Sequence, residues 1–377
     1  MTDLAATSLR LADLGVDRAT LLIDPARARA NIARFVARAR AAKVVLRPHF
    51  KTHQSAAVGE WFAAAGVDRA TVSSVGQAAY FADHGWRDLT LAIGLNPREL
   101  PAVRELAGRC DLGVTVDHPA HVAALAQAGL DVGVWVEIDT DDARAGVPWS
   151  DAAAVVGLVR ALVDAPGLAY RGLLTHAGHA YGVGRQDAAT IFAANRERLK
   201  SLRSVVRQAG LPGGLLSAGD TPGFAAVADW TGLDEARPGN FVFFDLMQLA
   251  SGACATADLA CAVAAPVIGG YPARRQVVVH AGAVHLSKER LGQAAGGHFG
   301  RLQTLTPTGL GDLAPDGVVT ALSQEHAVVT FADASAAADW RPGDLALIAP
   351  VHSCLTCEQF GSYLTTEGAR LPRYRRD

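Results

Sequence analysis

Short apolar runs recur along residues 20–250, and longer stretches with a helical period separate them. The runs are rich in Val, Ile and Leu and carry few polar residues, which is typical of strands buried on both faces of a parallel sheet. The predicted strands are 19–24, 44–50, 69–74, 88–94, 112–117, 132–139, 170–178, 214–220 and 240–245.

The stretches between these runs predict helices that cover the sheet. Residues 25–42, "PARARANIARFVARARAA", begin with a proline and place Ile32, Phe35, Val36 and Ala39 on one helical face. Alanine-rich stretches later in the chain repeat this pattern. Eight or nine strand–helix units over about 230 residues fit a (β/α)8 barrel better than an open sheet. In such a barrel the residues just after each strand are the candidates for chemistry.

The pattern changes near residue 255. Beyond it, apolar and polar residues alternate, and Gly, Pro and Asp separate the alternating runs. This pattern predicts a β-rich second domain. We expect a barrel over residues 19–255 and a β-rich domain over 256–377, with residues 1–18 packed on the second domain. The predicted fold class is therefore α/β, with an N-terminal TIM barrel and a C-terminal β domain.

Composition excludes several classes of function. Half of the 377 residues are hydrophobic, 19% are charged and the net charge is −2, which gives no reason to expect a nucleic-acid partner. No apolar stretch reaches the roughly 18 residues that a membrane helix needs, and the acid-bearing N-terminus does not resemble a signal peptide. Five scattered cysteines suit a reducing compartment. We therefore expect a cytoplasmic enzyme without a nucleic-acid or membrane partner.

The stretch "RPHFKTHQ" (47–54) places a lysine directly after the second predicted strand. Lys51 is flanked there by Arg47, His49 and His53. A lysine beside other cations has a lowered pKa, which makes it a better nucleophile toward an aldehyde. The alternative, a solvated basic loop, is what spacing alone favours.

Two glycine-containing turns at later strand ends have the composition of an anion site. "SAGDTPG" (217–223) and "RPGNFVF" (237–243) offer backbone N–H groups, and Thr221 adds a hydroxyl. Two such turns can hold one phosphate, although each alone is more often an ordinary turn.

Further polar side chains follow other predicted strands. Arg144 lies in "DTDDARAG", and His176, His179 and Tyr181 lie in "THAGHAYG". A lysine, an arginine, histidines, a tyrosine and two phosphate-like turns at the strand ends of one barrel describe a site for pyridoxal 5'-phosphate.

The motif "RPHFKTH" resembles the "RPHxKTH" cofactor-lysine motif of the D-serine dehydratase and D-threonine aldolase group. These are fold-type III pyridoxal phosphate enzymes whose barrel is related to that of alanine racemase. The resemblance covers most of the chain, from "LLIDPARARANI" to "VHSCLTC". It implies an alanine racemase-type barrel, a C-terminal β domain, a D-amino acid substrate and a homodimer with active sites near the subunit interface.

The resemblance also implies roles for residues around the cofactor ring. Lys51 would hold the cofactor covalently and act in catalysis. Arg144 would lie beside the ring, although Asp141 stands where the family has a glycine. His176 and Tyr181 would face the ring or the substrate as further catalytic candidates.

The same resemblance implies which residues bind the cofactor phosphate. Gly219 and Thr221 match the family's first phosphate turn, in which Asp220 stands where small residues are common. Gly239 and Asn240 match the second turn, although the tyrosine that follows in the family is Phe241 in this chain.

The C-terminal stretch "PVHSCLTCEQF" (350–360) brings three potential metal ligands close together. His352, Cys354 and Cys357 alone leave a redox pair, a structural zinc site, a catalytic metal site and ordinary thiols open. The resemblance assigns His352 and Cys354 to a divalent metal. On a strand these two residues would point to the same side, and a thiolate with an imidazole favours zinc.

Three further residues of the C-terminal domain are left open by the sequence. Cys357 would face away from Cys354 on a continuing strand, and a thioredoxin-like redox role is disfavoured because no helix start is predicted there. Roles for His280 and His326 cannot be assigned from the sequence.

The expected activity is dehydration of a D-3-hydroxyamino acid to a 2-oxo acid and ammonia. The substrate would be D-serine, D-threonine or 3-hydroxy-D-aspartate. Retro-aldol cleavage to glycine and an aldehyde is the first alternative, and a non-catalytic pyridoxal phosphate-binding protein is the second.

Overall fold

The computed structural model describes residues 2–292 and 297–375. The chain divides into two compact units. One unit is Ala33–Gly239, and the other runs to Ile32 and resumes at Asn240–Arg375. None of the helices in the described ranges is long and apolar enough to cross a membrane.

Strands are numbered along the chain. They are β1 (Thr20–Ile23), β2 (Val45–Leu46), β3 (Ala70–Val72), β4 (Asp88–Gly94), β5 (Asp111–Val116), β6 (Val132–Asp139), β7 (Val147–Pro148), β8 (Leu168–His176), β9 (Leu215–Gly219), β10 (Glu235–Ala236), β11 (Cys261–Tyr271), β12 (Gln276–Val279), β13 (Gly300–Thr306), β14 (Gly309–Leu322), β15 (Ala327–Thr330), β16 (Leu345–Pro350), β17 (Ser362–Thr365) and β18 (Arg370–Pro372).

Helices are numbered in the same way. They are α1 (Thr2–Asp13), α2 (Pro25–Ala42), α3 (Ala56–Ala64), α4 (Val75–Asp83), α5 (Leu100–Ala107), α6 (Pro119–Gln127), α7 (Ala152–Asp164), α8 (Arg185–Gln208), α9 (Thr221–Ala226), α10 (Leu246–Ala250), α11 (Ala283–Leu286), α12 (Ala334–Ala338) and α13 (Ser353–Glu358).

The unit Ala33–Gly239 contains a parallel sheet in the order β2-β10-β9-β8-β6-β5-β4-β3. A parallel bridge between His49 and Thr71 joins the segment after β2 to β3, so the two ends of the order meet. Val114, Val134 and Leu173 are fully buried in this sheet. The alternating strand–helix pattern therefore produces the expected barrel, and the carboxyl ends of its strands lie along one rim.

The second unit contains a nine-stranded sheet in the order β12-β15-β14-β13-β16-β11-β1-β17-β18. Its pairs are antiparallel except for β1 with β17, and an additional pairing of β12 with β11 closes six of the strands into a barrel. Helix α1 packs on β13 and β16. The Thr7 and Ser8 hydroxyls accept hydrogen bonds from the backbone N–H groups of Leu305 and Leu345, both at 2.8 Å.

Two predicted strands differ in the structure. Residues 19–24 contain a strand, but β1 pairs with β11 and β17 and takes no part in the parallel sheet. Residues 240–245 form no strand, because Asn240–Val242 is a turn of 3-10 helix and Phe244 has a left-handed φ of 50°. A continuous apolar run indicates burial, and it does not separate a buried strand from a buried turn.

Candidate active site

Lys51, Arg144, His176, Tyr181 and Gly219 lie at or just after the carboxyl ends of β2, β6, β8 and β9. Parallel strands bring these ends to one rim, so residues far apart in the sequence meet there. Thr221 begins α9 directly after β9, and Gly239 follows β10.

Lys51 is half-buried and lies against two imidazoles. Its backbone N–H donates to His49 Nδ1 at 3.4 Å. Burial, followed by the charge of Lys51, lowers the pKa of both His49 and His176 well below 6.5. Both imidazoles are therefore neutral at pH 7.

Arg47 and His53 do not act as cationic neighbours of Lys51, contrary to the sequence-based expectation. Arg47 is buried in ion pairs at 2.6 Å with Glu235 and with Asp88. His53 is buried with its pKa lowered to about 3 by burial, and its ring stacks near Phe62. Arg47 is instead neutralised by carboxylates inside the barrel, and His53 is a neutral ring packed among aromatic side chains.

His176 connects the ends of β8 and β9. Its Nδ1 donates to the carbonyl oxygen of Gly219. A carbonyl only accepts, so Nδ1 carries the proton and Nε2 is left as the acceptor of a neutral ring. Tyr181 lies with its ring centroid 6.2 Å from that of His176, and its hydroxyl accepts from the Thr221 N–H at 3.3 Å.

The turn at residues 219–223 has the features of a cradle for an anionic group. The Thr221 hydroxyl oxygen is buried and has no hydrogen-bond partner in the described part of the chain. An unpaired buried hydroxyl costs about 1–3 kcal/mol, so this position favours a ligand that accepts or donates there. A Cβ on Gly219 would lie 3.0 Å from Arg237 Cβ, and one on Gly239 would lie 2.6 Å from the His49 carbonyl oxygen. Neither glycine leaves room for a side chain.

Asp220 begins the turn and is buried. Its carboxylate accepts from the Gly223 N–H and caps α9. Burial raises its pKa to about 7, although the Gly223 N–H and Arg237 oppose the shift. A carboxyl group that is partly protonated at neutral pH is compatible with a neighbouring anion, which an ionised one would repel.

Arg144 lies on the exposed loop after β6. Its side chain is 56% exposed and is 3.8 Å from Asp142. Its charge contributes to lowering the pKa of His176 and opposes the burial that raises the pKa of Glu137. The arginine therefore belongs to the same electrostatic group as Lys51 and His176.

These features fit pyridoxal phosphate. Lys51 offers an amine, Thr221 an unpaired buried hydroxyl, and Gly219 and Gly239 close approach to the backbone. The neutral His176 and the charged Arg144 complete the rim.

His352 and Cys354 lie in the other unit, and the local structure there differs from the prediction. Strand β16 ends at Pro350, His352 is the N-cap of α13, and Cys354 is in the first turn of that helix. The prediction that a strand aligns the side chains of His352 and Cys354 is therefore wrong. The side chains meet nonetheless, because a turn brings the cap residue against the first helical turn.

Acidic groups surround this pair. His352 Nδ1 bonds to the Glu289 carboxylate at 2.5 Å. Burial disfavours the charged imidazole, but Cys354 and Glu289 outweigh it and raise the pKa of His352 to about 11. An imidazole and a thiol in an anionic setting fit a divalent cation. Within the described ranges no group of three or more His, Cys, Asp or Glu side chains is arranged to hold a metal.

Asn240 belongs to the surroundings of Cys354. Its amide nitrogen donates to Asp245 at 2.6 Å and to Ser353 at 3.1 Å, and it lies 3.7 Å from Cys354 Sγ. Its Oδ1 is buried without a partner in the described part of the protein.

The remaining residues of the C-terminal unit are placed as follows. Cys357 is fully buried and contacts Cys261 and Tyr363. His280 is exposed, lies 3.9 Å from Glu325 and has its ring centroid 6.4 Å from that of His326.

Two family models match the sequence. The one described as "Alanine racemase, N-terminal domain" matches residues 23–246, and the one described as "Putative serine dehydratase domain" matches residues 260–366. The chain belongs to the alanine racemase-like family. The resemblance inferred from "RPHFKTH" is thereby confirmed.

The relatives of the chain include dehydratases and an aldolase. The chain is 36% identical to the D-threo-3-hydroxyaspartate dehydratase of Delftia sp. (strain HT23), over 93% of this chain and 94% of that protein. It is 25% identical to the D-serine dehydratase of Dictyostelium discoideum, over 89% of each chain. The crystal structure of the Delftia dehydratase superposes with a TM-score of 0.89, at 33% identity, covering 97% of this chain and 99% of that one. The predicted fold class is confirmed.

Two residues that contact the candidate site residues were not predicted from the sequence. Arg237 is buried and donates to Ser217 Oγ and to the Thr175 carbonyl oxygen, and burial lowers its pKa to about 10. Arg237 begins the stretch "RPGNFVF" (237–243), directly after a strand, and this position is the signal that could have identified it. Glu289 lies nine residues after His280, and no spacing rule connects it to His352.

Proposed function

We propose that the chain is a pyridoxal phosphate- and divalent metal-dependent lyase that removes water from a D-3-hydroxyamino acid. D-threo-3-Hydroxyaspartate, D-serine and D-threonine are the candidate substrates. The observation that carries the proposal is the 36% identity to a D-threo-3-hydroxyaspartate dehydratase over 93% of the chain. The alanine racemase-like fold and the dehydratase family imply the cofactor.

Lys51 would hold the cofactor covalently, and Gly219, Thr221, Gly239 and Asn240 would bind its phosphate. Arg144, His176 and Tyr181 would face the ring or the substrate. When bound, pyridoxal phosphate supplies an electron sink for charge that develops at Cα. Support for this assignment comes from the unpaired hydroxyl of Thr221 and the close backbone at both glycines.

The Lys51 amine is the base that we assign to the Cα proton. His49 and His176 are neutral, so they add no positive charge beside the amine. The Gly219 carbonyl fixes the ring of His176 in the tautomer that leaves Nε2 as a hydrogen-bond acceptor. Tyr181 holds its hydroxyl at the Thr221 N–H and thereby orders the phosphate turn.

His352 and Cys354 would bind the divalent metal, with zinc favoured by the imidazole and thiolate. When bound, the ion supplies Lewis acidity that helps a hydroxyl group leave. Glu289 bonds to His352 Nδ1 and orients the ring, which leaves Nε2 for a metal. A cysteine-to-alanine variant of a D-threo-3-hydroxyaspartate dehydratase has been solved in a metal-free form, which supports a cysteine ligand.

Loss of water from the substrate leaves an enamine that hydrolyses to a 2-oxo acid and ammonia. D-Serine gives pyruvate, and 3-hydroxyaspartate gives oxaloacetate. The experiment is a product screen of the purified holoenzyme with all three candidate amino acids. Equal amounts of 2-oxo acid and ammonia from any of them support the proposal.

Retro-aldol cleavage is the first alternative. The chain is 28% identical to the D-threonine aldolase of Arthrobacter sp., but the match covers 61% of this chain and 62% of that protein. The dehydratase match has a higher identity, 36%, and covers 93% of this chain, and it therefore favours dehydration. Glycine with an aldehyde and without ammonia, in the same product screen, would reverse this choice.

A non-catalytic pyridoxal phosphate-binding protein is the second alternative. It requires no pair of metal ligands, whereas His352 and Cys354 contact each other beside Glu289. A cofactor spectrum that responds to none of the D-amino acids would favour this alternative.

We also propose that the protein is a cytoplasmic homodimer. The family resemblance supports the homodimer, and the odd number of cysteines, five in a long chain, suits the reducing cytoplasm. Light scattering coupled to gel filtration distinguishes a dimer from a monomer.

A further inference from the structure

The loop between β6 and α7 has an unusual backbone. Asp141 and Ala143 have left-handed φ values of 80° and 53°, and Gly146 has a φ of 106°. Left-handed conformations are uncommon for residues other than glycine, and they persist where surrounding contacts hold them. The loop carries Arg144 and is therefore part of the proposed active-site rim.

Carboxylates hold the inner part of this loop. Asp139 Oδ1 accepts from the N–H groups of Asp142 and Ala143 at 2.9 and 3.1 Å. Asp117 Oδ2 accepts from the Gly146 N–H at 3.1 Å. These bonds fix the chain on both sides of Arg144.

Three side chains hold the outer part of the loop. The Trp149 indole N–H donates to Asp141 Oδ1 at 3.0 Å, and Arg198 Nη2 is 2.5 Å from Asp141 Oδ2. Arg198 also donates to the Thr140 carbonyl oxygen at 3.0 Å, and its guanidinium lies 4.5 Å from the centre of the Trp149 ring. Each of the three side chains contacts the other two, and Arg198 projects from the long helix α8.

The loop also contacts the segment between His176 and Tyr181. Asp142 Oδ1 accepts from the His179 N–H at 2.7 Å. A Cβ on Gly178 would lie 2.6 Å from that oxygen, so only glycine permits the approach. A displacement of the loop therefore reaches both Arg144 and the segment that bears Tyr181.

The contacts of Asp141 with Trp149 and Arg198 are more than an ordinary surface ion pair. Asp141 is 58% exposed, and an exposed pair by itself contributes little to stability. Asp141 also occupies a left-handed position, where glycine avoids strain and where the related motif has glycine. Aspartate adds two anchors at that position, one to an indole and one to a guanidinium on another helix.

We propose that Asp141, Trp149 and Arg198 form a loop clamp that positions Arg144 for substrate binding and holds Asp142 against the segment that bears Tyr181. All three are positioning residues, because each acts through the loop. The substrate-binding part of this inference rests on the proposed function. The existence of the clamp can be tested without an enzyme assay, by the rate at which a protease cleaves the loop.

The test uses full-length holoenzyme and follows tryptic cleavage of the Arg144–Ala145 bond by mass spectrometry. Cleavage of a structured loop tracks the population of its open form. D141G removes both anchors and the backbone strain together, and R198Q removes the ion pair. Both variants are expected to be cleaved there about tenfold faster than the wild type, which corresponds to a tenfold larger open population.

Two further variants make the comparison sharper. D141N keeps a side-chain acceptor for Trp149 and a residue that tolerates left-handed φ, so it is expected to lie between D141G and the wild type. K200Q is the matched control, because Lys200 also forms an exposed ion pair from α8, with Glu197 at 3.0 Å. K200Q is expected to be cleaved at the wild-type rate.

Steady-state kinetics of the variants distinguish a positioning role from a purely structural one. D141G and R198Q are expected to raise KM for the hydroxyamino acid about five- to tenfold, with kcat within about twofold and Tm little changed, because uniform binding is lost. Wild-type cleavage rates in both variants would overturn the clamp, and faster cleavage with unchanged KM would overturn its positioning role. If the wild type turns over none of the amino acids, the proposed function fails, and the cleavage rates still decide the clamp.

Discussion

His176 Nδ1 donates a hydrogen bond to the carbonyl oxygen of Gly219, and this bond connects the ends of β8 and β9. Gly219 is the glycine of the proposed phosphate turn, whose conformation therefore depends on the imidazole. H176N keeps a donor close to the position of Nδ1, whereas H176L leaves the carbonyl without its partner.

We predict that H176L binds pyridoxal phosphate about tenfold more weakly, which is the effect of losing about 1.4 kcal/mol, and that H176N stays close to the wild type. Absorbance titration of the apoprotein with cofactor measures this affinity. His84 provides the control, since its Nδ1 similarly bonds to the Tyr80 carbonyl at 2.7 Å on an exposed surface. The account of the turn is contradicted if H176L and H84L bind cofactor equally well.

Lys51 is the residue on which both cofactor attachment and proton removal depend. Replacing it with alanine removes the amine and the base together. K51A is expected to lower kcat at least about 10³-fold and to abolish the visible absorbance change on mixing with substrate. K200A, which changes an exposed lysine on α8, is expected to behave as the wild type. Retention of substantial activity in K51A would show that another residue is the base.

Cys354 and Cys357 are separated by one helical turn but have different surroundings. Cys354 meets His352, whereas Cys357 is fully buried against Cys261 and Tyr363. We predict that C354A loses its bound metal and its activity, while C357A keeps about one metal ion per chain. Metal content is measured by mass spectrometry of the dialysed proteins.

A carboxylate at the same position tests the choice of metal. C354D replaces a soft ligand with a hard one and is expected to shift the preference from zinc toward manganese or magnesium. Full metal content in C354A, or metal loss in C357A, would contradict the assigned ligand pair.

Asp220 makes stability depend on pH. Its folded-state pKa is about 7, above the ordinary value of 3.8, so the folded protein binds more protons than the unfolded chain between these values. The free energy of unfolding therefore falls as pH rises from about 4 to about 7, by an amount on the order of 1–4 kcal/mol.

D220N removes this titration and retains a side chain that caps α9. The variant is expected to match the wild type in Tm at pH 5 and to exceed it at pH 8. Thermal unfolding of both holoproteins at the two pH values measures the difference. Parallel Tm–pH curves for the two proteins would contradict a raised pKa at Asp220.

Regular, strongly patterned elements were predictable from the sequence. Helix α2 spans the predicted residues 25–42, and β4 and β6 coincide with the predicted strands 88–94 and 132–139. Periodicity reports burial along one element. It carries no information about partners, which is why β1 was recognised as a strand and yet assigned to the wrong sheet.

The positions of Lys51 and His176 near strand ends were predictable from the sequence, whereas their roles stay predictions. The prediction for Arg47 was wrong because it pairs with Glu235, which is distant in sequence. The prediction for His53 was wrong because its ring is buried against Phe62. The helix at Ser353–Glu358 was missed because a short stretch with two cysteines has no clear period. This helix removes the reason given above against a redox role for Cys354 and Cys357. Cys357 is nevertheless fully buried.

The most direct test of the central claim is the product balance of the metal-loaded holoenzyme with D-threo-3-hydroxyaspartate, D-serine and D-threonine. The account predicts that at least one of them is consumed with equal amounts of ammonia and 2-oxo acid, and that a chelator stops the reaction. Production of glycine and an aldehyde without ammonia would contradict it.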